Sequence, residues 1–486
     1  MFTLSDYQAR LEALEVDLNR ETYRQYAGLP HDEERMTALS REIERLAVQA
    51  LQTIPPQEFP RPLLYATVRN SRASDYTRLE NEIYRLRTEE VAVQDDGETV
   101  SLSSWRLFNH RHARDAKRRR RVFLGLLERA EVLSPILAER FALSRELTGR
   151  FGLTPLHIYL EEEGVDLAAL ERLVERTAAA ARPHFVRELQ HYAEALLGAS
   201  PEFFDDYYVF LNVIYEPVDH FFREVDFDRL LQPICEGLGF SLAQICIDAA
   251  PRPGKHASPV CFGVRVPGEV YVLYRRTSPV VDYTGYCHEL GHALHFASVS
   301  PERPYADRYL IPAGVAELFS TLFESLGTTP QFLAEEVGLP AAAIDDLVAR
   351  ERFMELYFLT FYGANSLFKV RYWTEDPDMV AAEHLYADLY RRYVGLPMPG
   401  RYWQTHHVLA LHDVYAPSYL LAKVRMVELR RLLVDRFGPR WWRHAEAGRF
   451  LREEMMAPGR ALPVEAFSRL DAVPYLDLLG LSSAGC

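Results

Sequence analysis

The stretch "CHELGHALHF", residues 287–296, carries the pattern on which the predicted fold and function of the chain depend. Residues four apart on an α-helix lie about 40° apart around its axis, so His288 and His292 project from one face, one turn apart. Glu289 lies beside them. Two neutral imidazoles next to a carboxylate base are the arrangement that a zinc hydrolase needs. The short pattern also recurs by chance in buried helices, so a metal site requires a third ligand elsewhere in the chain.

A candidate third ligand lies on the helix predicted after Pro312, with the sequence "AGVAELFSTLFESL" (313–326). Its two carboxylates, Glu317 and Glu324, are nearly two turns apart and therefore face the same way. The helix is otherwise apolar, and a buried carboxylate without a partner is costly, so the pair favours a buried cationic partner. The alternative is a pair of exposed carboxylates.

The sequence "PVCFGVRVPGEVYVLYRR" (259–276) carries the strongest strand pattern of the chain. β-Branched and aromatic residues flank a Pro-Gly turn, which predicts a β-hairpin directly before the HELGH helix. Helical periodicity dominates most of the remaining sequence. We therefore expect a mainly α protein with a small sheet beside the motif helix. We place a helical N-terminal lobe at residues 1–200 and a catalytic lobe, with the hairpin, motif helix and C-terminal helices, at 201–486.

The composition of the chain limits the kinds of partner that the protein is expected to bind. The 486 residues carry a net charge of −14, which opposes nucleic-acid binding because phosphate recognition needs a basic surface. Neither a continuous apolar stretch at the N-terminus nor a run of 18 apolar residues is found, so no membrane partner is expected. Five cysteines without a C-x-x-C pair favour reduced thiols and a cytoplasmic location. The oligomeric state is not predicted.

The motif and its downstream glutamate together resemble the M3 family of metallopeptidases, the thimet oligopeptidase and oligoendopeptidase F group. Glu317 follows His292 by 25 residues, which is the family's spacing. The sequences "YAD" (305–307) and "AELFSTLFE" (316–324) are similar to the oligoendopeptidase F pattern around its glutamate ligand. The resemblance is most specific over residues 260–326 and weaker in the C-terminal third.

The resemblance implies a two-lobed helical zincin-type fold with a deep substrate cleft and one Zn²⁺ per chain. The zinc ligands it implies are His288, His292 and Glu317. It also implies that Glu289 is the general base and that Glu324 orients a ligating histidine. His295 fits the family's H-E-x-G-H-x-x-H pattern. We expect it to pack or hydrogen-bond locally, because three ligands already leave one position for water.

A late segment of family members carries a histidine and tyrosines that close over the site, and the candidate here is "RYWQTHHVLALHDVYAPSYLLAKVRM" (401–426). His407 precedes Tyr419 by twelve residues, as in the thimet-type pattern, and Tyr415 matches an earlier tyrosine. Two further positions of the pattern are alanine here. A phenol or imidazole in this place would share the charge of the oxyanion. The alternative is an aromatic face of a core helix.

The implied activity is hydrolysis of internal peptide bonds of oligopeptides by a zinc-activated water, with Glu289 as general base. An edge of the predicted hairpin could bind the substrate backbone in extended form. One alternative is a metallocarboxypeptidase of a related helical zincin type, which needs a cationic group for the substrate's terminal carboxylate. Another is a non-catalytic, zinc-bound peptide-binding protein. The presence of Glu289 opposes that alternative, because a structural zinc site needs no base.

Overall fold

The computed structural model describes residues 2–256, 258–276 and 278–481, and this part of the chain is mainly helical, as the sequence predicted. Its strands are β1 (Ala92–Asp95), β2 (Glu98–Ser101), β3 (Ile245–Asp248), β4 (Val260–Arg265) and β5 (Glu269–Leu273). Its α-helices are α1 (Leu4–Tyr26), α2 (Glu33–Thr53), α3 (Arg61–Asn70), α4 (Ala73–Arg85), α5 (Trp105–Arg111), α6 (Ala116–Arg129), α7 (Leu133–Gly149), α8 (Pro155–Glu163), α9 (Leu167–Tyr192), α10 (Tyr207–Val213), α11 (Phe227–Gly237), α12 (Pro279–Ser298), α13 (Tyr305–Tyr309), α14 (Ala313–Gly327), α15 (Pro330–Phe332), α16 (Ala341–Glu375), α17 (Met379–Tyr393), α18 (Tyr402–Thr405), α19 (His407–Leu411), α20 (Ala416–Phe437), α21 (Ala445–Arg449) and α22 (Val473–Leu478).

The predicted hairpin forms two strands of a three-stranded sheet with the order β3-β5-β4. β4 runs antiparallel to β5, with Val260 opposite Leu273, and β3 runs parallel to β5. The register shifts between Gly263 and Arg265, where β4 bulges. β4 therefore lies at one edge of this sheet. β1 and β2 form a separate antiparallel pair.

Two glycines explain how α12 packs between the sheet and α14. At Gly263 in β4, a Cβ would lie 3.3 Å from the Phe296 ring of α12. At Gly291, the glycine of HELGH, a Cβ would lie 2.4 Å from the carbonyl oxygen of Phe319 in α14. Such a contact is shorter than any real Cβ makes, so any side chain at 291 would force the two helix backbones apart. The motif glycine therefore lets the histidine helix lie directly against the carboxylate helix.

Contacts between Cα atoms divide the chain into two compact units, each made of several segments. The first comprises Met1–Thr77, Asp219–Ile344 and Ala422–Arg469, and the second Arg78–Val218, Asp345–Leu421 and Leu470–Cys486. The three-stranded sheet, α12 and α14 all belong to the first unit. The lobes expected at 1–200 and 201–486 stay a prediction, because compactness does not show which segments fold together. The two-lobed shape and the deep cleft stay predictions as well.

Two structural features, the apolar character of the helices and the state of the cysteines, relate to the predictions from composition. Over the described ranges, no helix is both long and apolar enough to cross a membrane. Among the described residues, the cysteines at 235, 246, 261 and 287 form no disulfide. Cys486, the fifth, lies outside the described residues.

Candidate metal centre

The helix that carries both histidines begins at Pro279, where a proline is tolerated because the first N–H groups of a helix have no partner within it. Side-chain carboxylates satisfy two backbone N–H groups at this end. Ser278 N–H donates to Asp282 Oδ2 at 2.7 Å, and Val280 N–H donates to Asp219 Oδ1 at 3.0 Å. Negative charge also interacts favourably with the positive end of the helix dipole. The start of α12 is therefore firmly anchored two turns before His288.

His288, His292 and Glu317 converge at one point, as the family resemblance implied. The distance from Glu317 Oε2 is 3.3 Å to His288 Nε2 and 3.5 Å to His292 Nε2. One ligand atom from each side chain lies within 4.8 Å of the others, a geometry that no other group of His, Cys, Asp and Glu side chains reaches in the described parts of the chain.

These three side chains fit a zinc ion. Two imidazole nitrogens and one carboxylate oxygen are a ligand set of catalytic zinc sites, which keep their fourth position open for water or substrate. Glu317 is buried, whereas both histidines are partly exposed. The two ligand types therefore meet at a point that a small substrate group can reach.

Glu324 and Ser320, both on α14, each contact one of the three converging side chains. Glu324 Oε2 lies 2.8 Å from His288 Nδ1, so the carboxylate holds the Nδ1–H tautomer and leaves the lone pair of Nε2 available to a metal ion. Ser320 Oγ donates to Glu317 Oε2 at 3.0 Å. The first contact is the one expected from the sequence. Ser320 was not predicted, although its position three residues after Glu317 places it on the same helix face.

The charges in this cluster stabilise one another. Burial by itself would lower the pKa of His288, but the hydrogen bonds and charges of Glu317 and Glu324 outweigh it and raise this pKa well above its usual value. Burial opposes ionisation of Glu317, yet His292 and His288 hold its pKa well below the usual value. Lys423 on α20, with His288, likewise lowers the pKa of Glu324 against the effect of burial. No local pattern could have identified Lys423, because only the tertiary structure brings it near.

Glu289 is buried beside both histidines and next to strand β4. Burial raises the pKa of its carboxyl, while the charges of His288 and His292 and a hydrogen bond to the backbone of Cys261 act in the opposite direction. A carboxylate with a raised pKa is a stronger base than an exposed one, which suits a group that must accept a proton near neutral pH.

His295 packs in the core, as expected from the sequence. It is completely buried, and its ring lies 4.4 Å from that of Phe319, centroid to centroid. Neither ring nitrogen has a hydrogen-bond partner among the described residues. Burial, followed by the charge of His292, lowers the pKa of His295 to about 3, so the ring stays neutral.

The predicted C-terminal segment forms α18, α19 and the beginning of α20, within the second compact unit up to residue 421. Tyr415 and Tyr419 are half-buried, and their ring centroids lie 5.3 Å apart. The Tyr419 ring also lies 5.0 Å from that of Tyr362 on α16. The structure thus brings the two candidate phenols together, and their role at the metal centre stays a prediction.

His407 lies at the start of α19, where its ring stacks on His406 at 5.1 Å and lies 6.0 Å from Tyr208. Burial, and then the charges of His406 and nearby arginines, lower the pKa of His407 well below its usual value. A neutral imidazole can donate only one hydrogen bond. As for the two tyrosines, its part in catalysis stays a prediction.

Residues 234–467, which include both metal-site helices and the late histidine–tyrosine segment, match Peptidase family M3, and this confirms the family resemblance. An M32 carboxypeptidase from Deinococcus radiodurans R1 is similar in structure, with a TM-score of 0.61 and 16% identity over 98% of this chain and 97% of that chain. The structure titled BsuCP has a TM-score of 0.58 at the same identity and coverage. Both likenesses show a shared fold. No curated protein matches the sequence.

Proposed function

Because residues 234–467 match peptidase family M3, we propose that the protein is a zinc-dependent peptidase that hydrolyses internal peptide bonds of oligopeptides. The observation that carries the proposal is the convergence of His288 Nε2, His292 Nε2 and Glu317 Oε2 beside a buried glutamate. A purely structural zinc site would have no use for that glutamate.

The side chains of the metal centre have separate roles in this proposal. His288, His292 and Glu317 would hold the zinc ion, which would supply Lewis acidity and lower the pKa of a bound water towards about 7. Glu289 accepts the proton of the attacking water and returns it to the leaving amine. Glu324 keeps the His288 ring in its ligating orientation through the 2.8 Å contact.

Attack on an amide builds negative charge on the carbonyl oxygen, and a positioned donor lowers the barrier most when it acts only in the transition state. Tyr419 is our proposed donor, with His407 as a second one. Tyr415 is the alternative phenol, because its ring lies next to that of Tyr419.

Strand β4 supports an extended peptide as the substrate. It is an edge strand in the order β3-β5-β4, and such a strand offers backbone N–H and C=O groups to an added strand. Its residue Cys261 contacts Glu289, so a peptide paired with β4 would pass close to the proposed base.

A metallocarboxypeptidase is the second candidate. The observation in its favour is the likeness to the M32 carboxypeptidase from Deinococcus radiodurans R1, which extends over nearly all of both chains. That activity requires a cationic group that binds the terminal carboxylate of the substrate.

One experiment tests both candidates. A quenched fluorescent peptide is prepared with a free C-terminus and, separately, with a C-terminal amide, and the products of each are identified by mass spectrometry. An endopeptidase cleaves both peptides at the same internal bond. A carboxypeptidase shortens only the free acid, one residue at a time, which would favour the second candidate. Failure of the zinc-loaded protein to cleave either form, across a library of sequences, would contradict both.

A further inference from the structure

Strand β3 forms the edge of the three-stranded sheet opposite to β4. The carbonyl oxygen of Asp248 accepts from the N–H of Tyr274, which directly follows β5, at 3.2 Å. The backbone groups of successive residues point to opposite sides of a strand, so those of Ile245 and Ile247 point away from β5. Ile245 N–H donates to the carbonyl oxygen of Leu242 at 3.0 Å. The C=O of Ile245 and both backbone groups of Ile247 therefore face the open edge.

A groove of about 480 Å³ lies beside β3, between this strand and helices α11 and α12, in the first compact unit. Ile245 and Ile247, both half-buried, line it together with the buried Leu290 of α12. Leu290 points about 160° away from His288 around the helix axis, so the groove lies on the other side of α12 from the metal ligands. The remaining lining residues without a charge, an amide or a phenol are Cys235, Leu242 and Ala243.

The polar part of the groove wall is acidic. Asp228 and Glu236, about two turns apart on α11, supply two carboxylates. Gln232, between them, donates to Glu236 Oε1 at 2.8 Å, and the hydroxyl of Tyr286 donates to Asp228 Oδ1. An ionised carboxylate accepts several hydrogen bonds, so both groups can take further donors. No lysine or arginine lines the groove in the part of the chain that the structure describes.

We propose that the β3 edge and this groove bind an extended peptide segment of a partner that carries an arginine or a lysine. The segment would add a strand to the sheet by pairing with Ile245 and Ile247. The hydrocarbon part of its basic side chain would lie against Ile247 and Leu290. Its cation would interact with Asp228 and Glu236, whose negative charge no lining cation balances.

A second copy of the chain suits this edge less well, because pairing β3 with β3 would bring two acidic grooves together. The inference does not rest on the proposed function, since the groove and the metal ligands lie on opposite sides of α12. A protein that cleaved no peptide would still bind this segment.

Binding is measured by the fluorescence anisotropy of a fluorescein-labelled five-residue peptide. Its second residue is arginine, its fourth is valine and the others are threonine, because alternate side chains of an extended strand share a face. The full-length, zinc-loaded protein carries Glu289→Gln throughout, so that peptidase activity would not consume the probe. We expect saturable binding with a Kd below about 1 mM. Replacing the arginine with neutral citrulline should weaken the affinity about three- to fivefold.

Two further comparisons locate the probe. Asp228→Asn combined with Glu236→Gln should weaken binding of the arginine probe about fivefold and leave the citrulline probe within about twofold. Glu224→Gln is the matched control, since it removes the charge of an exposed residue outside the groove, and it should bind both probes unchanged. Methylation of the arginine N–H or of the following threonine N–H should weaken binding about tenfold in one case only, because only alternate N–H groups face β3.

Equal affinity for the arginine and citrulline probes, equal tolerance of both methylated probes, or no saturable binding would overturn the proposal. So would displacement of the probe by an excess of a peptide hydroxamate, a zinc chelator, because the probe would then lie at the metal centre. A dimer in light scattering that the probe dissociates would place a second copy at the β3 edge and would also overturn it. Should the double variant fail to fold, the citrulline and methylated probes still decide, because they leave the protein unchanged.

Discussion

The contact between Glu324 and His288 should contribute measurably to zinc binding. The two atoms lie 2.8 Å apart, and their side chains are 31% and 22% exposed, respectively, so bulk water screens the contact only in part. A hydrogen bond to a charged group contributes about 1.5 to 3 kcal/mol. Glu324→Gln keeps an oxygen that can accept from Nδ1–H but removes the charge, so we expect a loss of about 1.4 to 2.7 kcal/mol. This corresponds to a zinc affinity weaker by about 10- to 100-fold.

The assay is competition for zinc with a chromogenic chelator at fixed pH, after the melting temperature has shown that the variant is folded. Glu302→Gln is the matched control, since it removes one negative charge from an exposed loop residue between α12 and α14. The control should bind zinc within about twofold of the wild type. If Glu324→Gln also stayed within twofold, the carboxylate would not be what holds His288, and the argument from the 2.8 Å contact would be wrong.

Four further predictions concern single residues. Glu317→Ala should lose zinc and activity together, and full metal occupancy in this variant, by elemental analysis, would refute its assignment as a ligand. Glu289→Gln should keep the zinc and lose nearly all turnover, because an amide cannot accept the proton; a kcat above a tenth of the wild-type value would rule it out as the base. Tyr419→Phe should lower kcat by roughly 10² to 10³ with KM within a few-fold, whereas Tyr415→Phe should show the large effect only if Tyr415 is the donor. Burial disfavours the ionised form of Glu15 in the folded state and raises the pKa of its carboxyl to about 7. The stability that the protonated carboxyl contributes is therefore lost as the pH rises from about 4.5 through 7. Glu15→Gln should therefore raise the melting temperature relative to wild type at pH 8 and change it little at pH 5, and an equal shift at both values would contradict the raised pKa.

The features that the sequence determined by itself are local ones. His288 and His292 face the same way because a helical turn has a fixed length, and Glu317 and Glu324 do so for the same reason. The hairpin of β4 and β5 follows from strand-forming residues on both sides of a Pro-Gly turn. In each case the interacting residues are close in sequence, so the helix or strand geometry alone relates them.

The tertiary structure decided which of these local features meet. Nothing between residues 293 and 316 requires that Glu317 approach both imidazoles. The close packing of α12 on α14 at Gly291 brings it there. Lys423 acts on Glu324 from another helix, and the groove beside β3 has walls that come from separate segments. Each compact unit is likewise assembled from segments that are far apart in sequence. These outcomes depend on contacts between residues far apart in sequence, whose free energy is set by the packing of the whole core and leaves no periodic signal in any one segment.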